Sequence, residues 1–316
     1  MPDVPESRPP GALFGRLVER LTYADALVLT TGFTMFLVVA LASTRLADDH
    51  GTTLAMALSP VVMLMGVYFG RSGHARRDTL TRLVGYLFWI WFFHMTAGVL
   101  IGGLHLPRYE RELASIDVAL FGQPLTVALQ SISSPWLTEI TQFAYNLYYF
   151  SVLALPLTLA LQGRRRAFFE TAAVLLTVHC LVVIGTLILP ALWPTLAAQD
   201  PSLAGLVVFD GPMEGLALTD ALRTATATGT PHLYDAFPSG HTAMTLATVL
   251  LTARYLRRYL WFIVPHAVLI VFGTLYLRYH YAVDIVAGVA LALAVVAVVR
   301  RRFATARGLE PAPQAS

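Results

Sequence analysis

Long apolar segments, separated by short polar ones, dominate this chain. A helix needs about 20 predominantly apolar residues to cross the hydrocarbon core of a bilayer. Eight segments reach or approach that length, so we predict an all-α, polytopic membrane helix bundle. Their approximate bounds are 24–43, 54–70, 83–104, 139–161, 168–190, 241–256, 259–279 and 282–299. The sixth segment is short and follows a Pro-Ser-Gly turn, so we expect it to begin at the membrane interface.

The composition agrees with a membrane protein. Hydrophobic residues make up 56% of the chain, charged residues 13%, and the mean hydropathy is +0.64. Soluble domains average about 25% charged residues. Residues 1–23 are polar and lack the apolar core of a cleavable signal peptide, so we expect the first span to act as the insertion signal. The single cysteine, Cys180, excludes an intramolecular disulfide.

The distribution of arginines predicts the orientation. The chain has no lysine, so its 22 basic residues are all arginine. If the N-terminus is cytoplasmic and eight helices alternate, seventeen arginines fall on the cytoplasmic side and five on the other. The positive-inside rule then places both termini in the cytoplasm. We expect these arginines to face anionic inner-leaflet lipid, and we expect no nucleic-acid partner.

The pattern predicts one membrane domain with polar ends. Residues 1–23 form a cytoplasmic N-terminus, 24–104 the first transmembrane helices, 105–302 the main membrane domain and 303–316 a disordered cytoplasmic tail. Two outer segments are unusual. An amphipathic helix over about 117–135 is expected to lie on the membrane surface, and residues 191–240 form a long outer loop. We interpret the acidic residues of that loop as solvated groups without a chemical role. They are Asp200, Asp210, Glu214, Asp220 and Asp235.

The first polar motif is Phe237-Pro238-Ser239-Gly240-His241, at the start of the sixth span. Pro and Ser suit a helix start, and the free N–H groups of a helix N-terminus favour a phosphate. Ser239 adds a hydroxyl donor, and Gly240 lets the backbone approach an anion closely. Histidine ordinarily titrates near neutral pH, so we expect His241 to protonate a leaving-group oxygen. The motif therefore predicts a phosphate site with an acid beside it.

The second polar motif runs from Arg278 to Asp284 and lies at the same predicted outer face. The spacing of four puts His280 and Asp284 on one face of a helical segment. The carboxylate can hold one ring nitrogen, which leaves the other as a nucleophile. Arg278 offers bidentate donors for phosphate oxygens. Protein donors can neutralise the transition-state charge, so we predict neither a metal nor a cofactor.

Other interpretations of these residues stay open. His280 and Asp284 alone could be a structural pair in the bundle or two metal ligands, although no third ligand at a helical offset is evident. His94 and His179 lie inside predicted spans and can hydrogen-bond a neighbouring helix. In a transporter or lipid flippase, such intramembrane histidines would be functional. Broken helices or inverted repeats would support that class, and the sequence shows only the Pro-Ser-Gly turn.

The two motifs also carry a family resemblance. Phe237–His241 and Tyr276–Gly288 resemble the second and third signature motifs of the type 2 phosphatidic acid phosphatase superfamily. The His-Tyr-x-x-Asp form of the third motif is most similar to the branch containing inositol phosphorylceramide synthase and sphingomyelin synthase. Asp117–Pro124 and Tyr145–Tyr149 also resemble that branch. The resemblance spans roughly residues 110–300.

The resemblance implies a fold and a mechanism. It implies a six-helix core, with two additional helices that we expect to be the first two, and a phosphatase- or phosphotransferase-like domain over 105–302. His280 would attack phosphorus to form a phosphohistidine, Asp284 would orient it, and His241 would act as the acid. The substrate would be a membrane lipid, which the protein would bind at the outer face of the cell membrane. The oligomeric state is left open.

Two departures from the family pattern matter. The common first motif needs a lysine, and the common third motif has an arginine where this chain has Thr274. We infer that Arg278, one helical turn nearer the surface, replaces that arginine, and that Tyr145 or Tyr149 supplies a neutral donor and contacts substrate. A pocket with fewer cations favours a phosphodiester substrate, which carries less charge than a monoester. We therefore favour a transferase of an inositol-phosphate-like head group. The alternative is a phosphatase for lipid phosphates or polyprenyl diphosphates, with water as acceptor.

Overall fold

The computed structural model describes residues 21–42, 74–229 and 234–305. These residues form an all-helical bundle, and no β-strand occurs in these ranges beyond an isolated bridge between Ala191 and Asp235. The α-helices are α1 Tyr23–Ala42, α2 Ala75–Leu104, α3 Glu110–Phe121, α4 Leu125–Ala128, α5 Pro135–Asn146, α6 Tyr148–Leu161, α7 Arg165–Ile188, α8 Pro194–Ala197, α9 Thr219–Gly229, α10 Gly240–Tyr255, α11 Leu260–Tyr276 and α12 Ala282–Thr305. Short 3₁₀ helices cover Leu129–Ile132, Pro201–Leu203 and Arg257–Tyr259.

Six helical segments are long and apolar enough to cross a membrane, which confirms the prediction of a polytopic membrane bundle. They are Tyr23–Ala42, Ala75–Leu104, Pro135–Leu161, Arg165–Ile188, Arg257–Tyr276 and Ala282–Ala304. The predicted span 54–70 lies outside the described residues. The predicted span 241–256 corresponds to α10, whose 16 residues are too few for it to count as a full crossing.

α7 is the central helix of the bundle. It packs against α1, α2, α6, α10 and α12, and it is apolar on all sides, which is typical of a helix surrounded by others. The outer helices instead keep large exposed apolar side chains, among them Phe150 and Trp261. Bulky apolar residues facing away from the bundle suit contact with lipid.

Two boundaries differ from the sequence predictions. The expected surface helix over about 117–135 is instead two helical pieces, Glu110–Phe121 and Leu125–Ile132, bent by 67°. The bend falls at Gly122, whose φ of 79° ends α3 in the left-handed region that glycine tolerates. α11 ends at Tyr276, so Arg278 does not lie on its face as predicted. Arg278 has a φ of 65°, a left-handed conformation outside the helix.

Three helix ends meet where the two polar motifs lie. The C-terminal part of α7 contacts the turn that precedes α10, because a side chain at Gly185 would place its Cβ 2.5 Å from Pro238 Cδ. The start of α12 contacts the same turn, because a Cβ on Gly288 would lie 2.7 Å from the carbonyl oxygen of Ser239. The two glycines thus allow the backbones to approach closely enough to bring both motifs together.

A methyl group at Gly288 is expected to push α12 away from the turn at Ser239. Backbone cannot yield like a flexible side chain, so Gly288→Ala should lower the free energy of unfolding by about 1–3 kcal/mol. Thermal unfolding of the purified protein in detergent measures the effect. Gly102→Ala on α2 is the matched control, because nothing lies within 4 Å of its Cβ. An unfolding temperature of Gly288→Ala equal to that of the wild type would contradict the close approach.

Candidate active site

His280 is held by the backbone just before α12. Its Nδ1 lies 2.7 Å from the carbonyl oxygen of Ala236, and the residue is buried. A carbonyl oxygen only accepts hydrogen bonds, so this contact requires the proton on Nδ1. In the neutral ring Nε2 then carries the lone pair. The geometry therefore favours the tautomer with the proton on Nδ1, which leaves Nε2 free to act as a nucleophile.

Asp284 adds a second contact to the same nitrogen. Its Oδ2 lies 3.4 Å from His280 Nδ1 and also accepts the N–H of Tyr281 at 2.7 Å. The sequence analysis brought the two residues together through a shared helical turn, but α12 begins only at Ala282. They approach each other across the start of the helix instead. Asp284 Oδ1 is buried and has no hydrogen-bond partner among the described residues.

His241 faces His280 from the first turn of α10. The centroids of the two rings are 6.3 Å apart, in an edge-to-face arrangement. Tyr145 stacks on His241 at 4.2 Å, and its hydroxyl lies 3.2 Å from His241 Nδ1. Tyr148 is equally close through its ring, whereas Tyr149 is more distant, at 6.4 Å, and largely exposed. Nε2 of His241 is buried and unpartnered among the described residues, so it is available to a ligand.

Ser239 serves as the N-cap of α10. Its hydroxyl accepts the N–H of Thr242 at 3.3 Å and donates to Thr242 Oγ1 at 3.0 Å, and the residue is fully buried. The hydroxyl is therefore committed to the helix cap, and the expected donation to a phosphate does not fit this arrangement. Gly240 is small for packing as well, since a Cβ there would lie 3.1 Å from Val182.

Arg278 points into the outer loop. Its Nη1 donates to the carbonyl oxygen of Gly211 at 2.8 Å, and its guanidinium lies 4.0 Å from the ring centroid of Phe209. Burial lowers the pKa of this guanidinium, and the nearby charge of Arg223 adds to the effect. Its Nε is buried without a hydrogen-bond partner in the described part of the chain. The structure thus shows no contact between Arg278 and either histidine.

A second histidine–aspartate pair lies beside the site, and sequence reasoning missed it. His94 Nε2 is 3.6 Å from Asp235 Oδ2, and Asp235 Oδ1 accepts the indole N–H of Trp193 at 2.7 Å. Asp235 is adjacent in sequence to Ala236, the residue that holds His280. The interpretation of Asp235 as a solvated loop acid is therefore wrong. Asp235 lies only two residues before Phe237, where the first polar motif begins, and this closeness in sequence could have indicated that it lies near the site.

Asp117 is the other functional candidate that the sequence analysis left without a role. It lies on α3 and is fully buried. Its two carboxylate oxygens accept the N–H groups of Ala282 at 2.8 Å and Val283 at 3.0 Å. These are the first N–H groups of α12, which have no partner within the helix. Asp117 thereby caps, from a distant part of the chain, the helix that carries Asp284.

The fold and the site together define a class of protein. The chain is a membrane helix bundle with two histidines and a carboxylate gathered at one end of the helices. Within residues 21–42, 74–229 and 234–305, no group of three or more His, Cys, Asp or Glu side chains has the arrangement of a metal site. Two histidines and a carboxylate thus make up the candidate site.

Comparison with known proteins identifies the family. The family model described as "PAP2 superfamily" matches residues 111–298, more than half of the chain. The protein therefore belongs to the PAP2 superfamily, whose members are phosphatases and phosphotransferases. The matched region contains both histidine motifs, nearly all of α3 and most of α12. No curated protein and no solved structure matches this chain.

Replacing Asp117 by Asn should destabilise the start of α12. Asparagine has one carboxamide oxygen, so one of the two N–H groups that Asp117 now accepts would face an NH₂ group instead. A buried donor without a partner costs about 1–3 kcal/mol, which thermal unfolding in detergent would detect. Glu112→Gln is the matched control, because Glu112 lies on the same helix but is exposed. Equal unfolding temperatures for the two variants would show that Asp117 is not a cap.

Proposed function

We propose that this protein is an integral-membrane phosphotransferase that acts on a lipid phosphodiester or lipid phosphate through a phosphohistidine intermediate. The observation that carries the proposal is the tautomer of His280. Its Nδ1 is bonded to the carbonyl oxygen of Ala236 at 2.7 Å, which leaves Nε2 as the nucleophile. We place this site at the outer face of the cell membrane, on the strength of the arginine distribution.

The two histidines suit an in-line displacement. The centroids of the two rings are 6.3 Å apart, so both histidines are close enough to contact the same phosphate group. The Nε2 lone pair of His280 forms a P–N bond as the P–O bond to the leaving group breaks. His241 gives a proton to the departing oxygen. An acceptor hydroxyl then returns a proton to His241 while its oxygen forms the new P–O bond and the P–N bond breaks.

The neighbouring groups support these roles. Asp284, 3.4 Å from Nδ1, would stabilise the positive charge that develops on the His280 ring as Nε2 bonds to phosphorus. Tyr145 holds the His241 ring by stacking and by its hydroxyl. A phosphate between the rings would meet the N–H groups at the start of α10. Phosphate binding by Gly240 and Arg278, and substrate contact by Tyr149, stay predictions.

The shortage of cations around the histidines favours head-group transfer. Among the described residues, the hydrogen bonds and ring contacts of His241 and His280 involve no arginine, and the chain has no lysine. A phosphodiester carries one negative charge, whereas a phosphomonoester carries up to two and gains more from cations. A lipid phosphodiester donor and an alcohol acceptor therefore fit this pocket better than a monoester and water.

Loss of His280 should abolish turnover. His280→Ala removes the ring, and His280→Asn keeps a side-chain donor for the Ala236 carbonyl while it removes the nucleophile. Both variants should lack activity and should lose a base-stable, acid-labile phosphorus label on the protein. His74→Ala, an exposed histidine at the start of α2, is the control and should retain both. Full activity in folded His280→Asn would end the phosphohistidine mechanism.

Labelled substrates would separate transfer from hydrolysis. The purified protein is incubated in turn with labelled phosphatidylinositol, phosphatidate and undecaprenyl diphosphate, each with added lipid alcohols. We expect label from the phosphodiester to move to a second lipid. Label recovered as free phosphate from phosphatidate or the diphosphate would instead establish a phosphatase. Movement of lipid between leaflets, with neither product, would indicate a flippase.

Tyr145→Phe should slow the reaction without disturbing the fold. The substitution keeps the stacked ring and removes the hydroxyl that lies 3.2 Å from His241 Nδ1. We expect turnover to fall by about tenfold, a modest part of the effect of an acid–base group, with a changed pH profile. Tyr148→Phe is the matched control, because its ring also lies 4.2 Å from His241 but its hydroxyl makes no hydrogen bond to it. Equal rates in the two variants would deny Tyr145 a positioning role.

A further inference from the structure

A cavity of about 450 Å³ lies at the end of the bundle opposite the histidines. It is lined by the start of α7, the end of α10 and the end of α12. α10 begins beside His241 and runs to Tyr255, and Arg254 and Tyr255 at its end line the cavity. The cavity therefore lies roughly 20 Å from His241 by helix rise. The phosphate transfer proposed above does not use this region. The lining residues that matter below are Arg164, Arg165, Arg166, Ala167, Glu170 and Arg254.

The cavity carries an excess of positive charge. Four arginines line it, and Arg300 of α12 lies within ion-pair distance of Glu170, the acidic residue of the lining. Two carboxylates oppose these charges. Glu170 lies 3.3 Å from Arg254 and 3.9 Å from Arg300, and Asp78 lies 3.2 Å from Arg165. Arg164 and Arg166 have no carboxylate partner among the described residues and instead bond to carbonyl oxygens. The cavity can therefore accept an anion without losing an existing ion pair.

Backbone and guanidinium geometry hold the arginines in place. Arg164 Nη1 donates to the Tyr255 carbonyl at 2.9 Å, and Arg166 Nη2 donates to the Phe303 carbonyl at 2.9 Å. Each guanidinium has five N–H donors, so most of them remain for a ligand. Fixing one donor of a planar fork orients the rest, and a planar fork matches the oxygens of a phosphate.

The start of α7 adds backbone donors to the same cavity. Arg165 and Phe168 donate their N–H groups to the carbonyls of Gly163 and Arg164. Between them, the N–H groups of Arg166 and Ala167 have no backbone partner in the described part of the chain. Free N–H groups and the dipole of a long helix attract an anion. The donors of this cavity thus come from both arginine side chains and a helix N-terminus.

We propose that this cavity binds the phosphate group of an anionic ligand, supplied by an anionic phospholipid head group or by free phosphate. A volume of about 450 Å³ has room for a phosphate and for further parts of a lipid, which Tyr255 and Phe303 can contact. Glu170, buried among the arginines, tunes the affinity by offsetting part of their charge. This site is independent of the transferase reaction and of the residues that would perform it.

Variants of the cavity test the proposal. Arg164→Ala/Arg166→Ala removes two phosphate donors and should weaken binding by about tenfold or more. Glu170→Gln removes the opposing charge and should tighten binding by several-fold. If the arginines served only to cap neighbouring helices, Glu170→Gln would not raise the affinity for phosphate. A gain of affinity in this variant therefore supports an anion site. Arg77→Ala is the control, an exposed arginine at the same end that does not line the cavity.

Two probes distinguish the sources of the phosphate. Inorganic phosphate is titrated into the protein in neutral detergent and followed by thermal stabilisation. Separately, the protein is placed in phosphatidylcholine nanodiscs with or without phosphatidylglycerol, and retained lipid is counted by native mass spectrometry. Response to both probes assigns the phosphate group itself as the ligand, and response to phosphatidylglycerol alone assigns a lipid head group. Phosphate held by the catalytic histidines would not respond to the cavity variants.

The proposal has clear failing outcomes. Binding of both probes unchanged by Glu170→Gln and by the double arginine variant would overturn it. An equal loss of binding in Arg77→Ala would also overturn it, since general surface charge would then explain the attraction. Loss of the His280 label with intact cavity binding concerns the transferase proposal only.

Discussion

The amide nitrogen of Ser239 donates a hydrogen bond to the carbonyl oxygen of Asp284 at 3.1 Å, and the geometry of the site depends on that link. It joins the turn that carries His241 to the start of the helix that carries Asp284. A backbone contact this short is possible because Gly288 presents no side chain to the turn. The contact also brings Ala236 within reach of His280. Main-chain atoms therefore fix the ring of His280 and the turn from which His241 projects.

Under the proposed function, the same site would bind phosphate with few cations. Helix N-termini supply partial positive charge at α10, and they cost no desolvated ammonium or guanidinium group. Carboxylates are used for positioning: Asp117 holds the N–H groups that start α12, and Asp284 holds His280 and Tyr281. Within a low-dielectric bundle, each of these interactions is stronger than it would be in water. The absence of lysine is thus compatible with a working phosphate site.

The sequence predicted the fold class and the two histidine motifs because both depend on local patterns. Apolar length identifies a span, and Pro-Ser-Gly-His identifies a helix start wherever it occurs. It could not predict Asp117, because its partners are 165 and 166 residues away along the chain. His94 and Asp235 were missed for the same reason, since only the packing of α2 against the outer loop brings them together. Arg278 was misplaced because a single left-handed residue ends the helical register at that point.

α7 connects the two ends of the molecule that carry polar chemistry. Its first turn lines the arginine cavity, and Gly185 near its C-terminus lies against Pro238, next to the histidine turn. A helix buried on most sides in a close-packed bundle moves as a rigid element, since packed interiors resist compression. A ligand in the cavity would change the positions of the histidines only if α7 could slide along its axis and the ligand bound one of its positions more tightly than another. The fixed contacts at both ends of α7, with Asp78 and Arg254 at one end and Pro238 at the other, favour a single position. The cavity is therefore better understood as a site that anchors the bundle to an anionic partner than as a switch for the histidines.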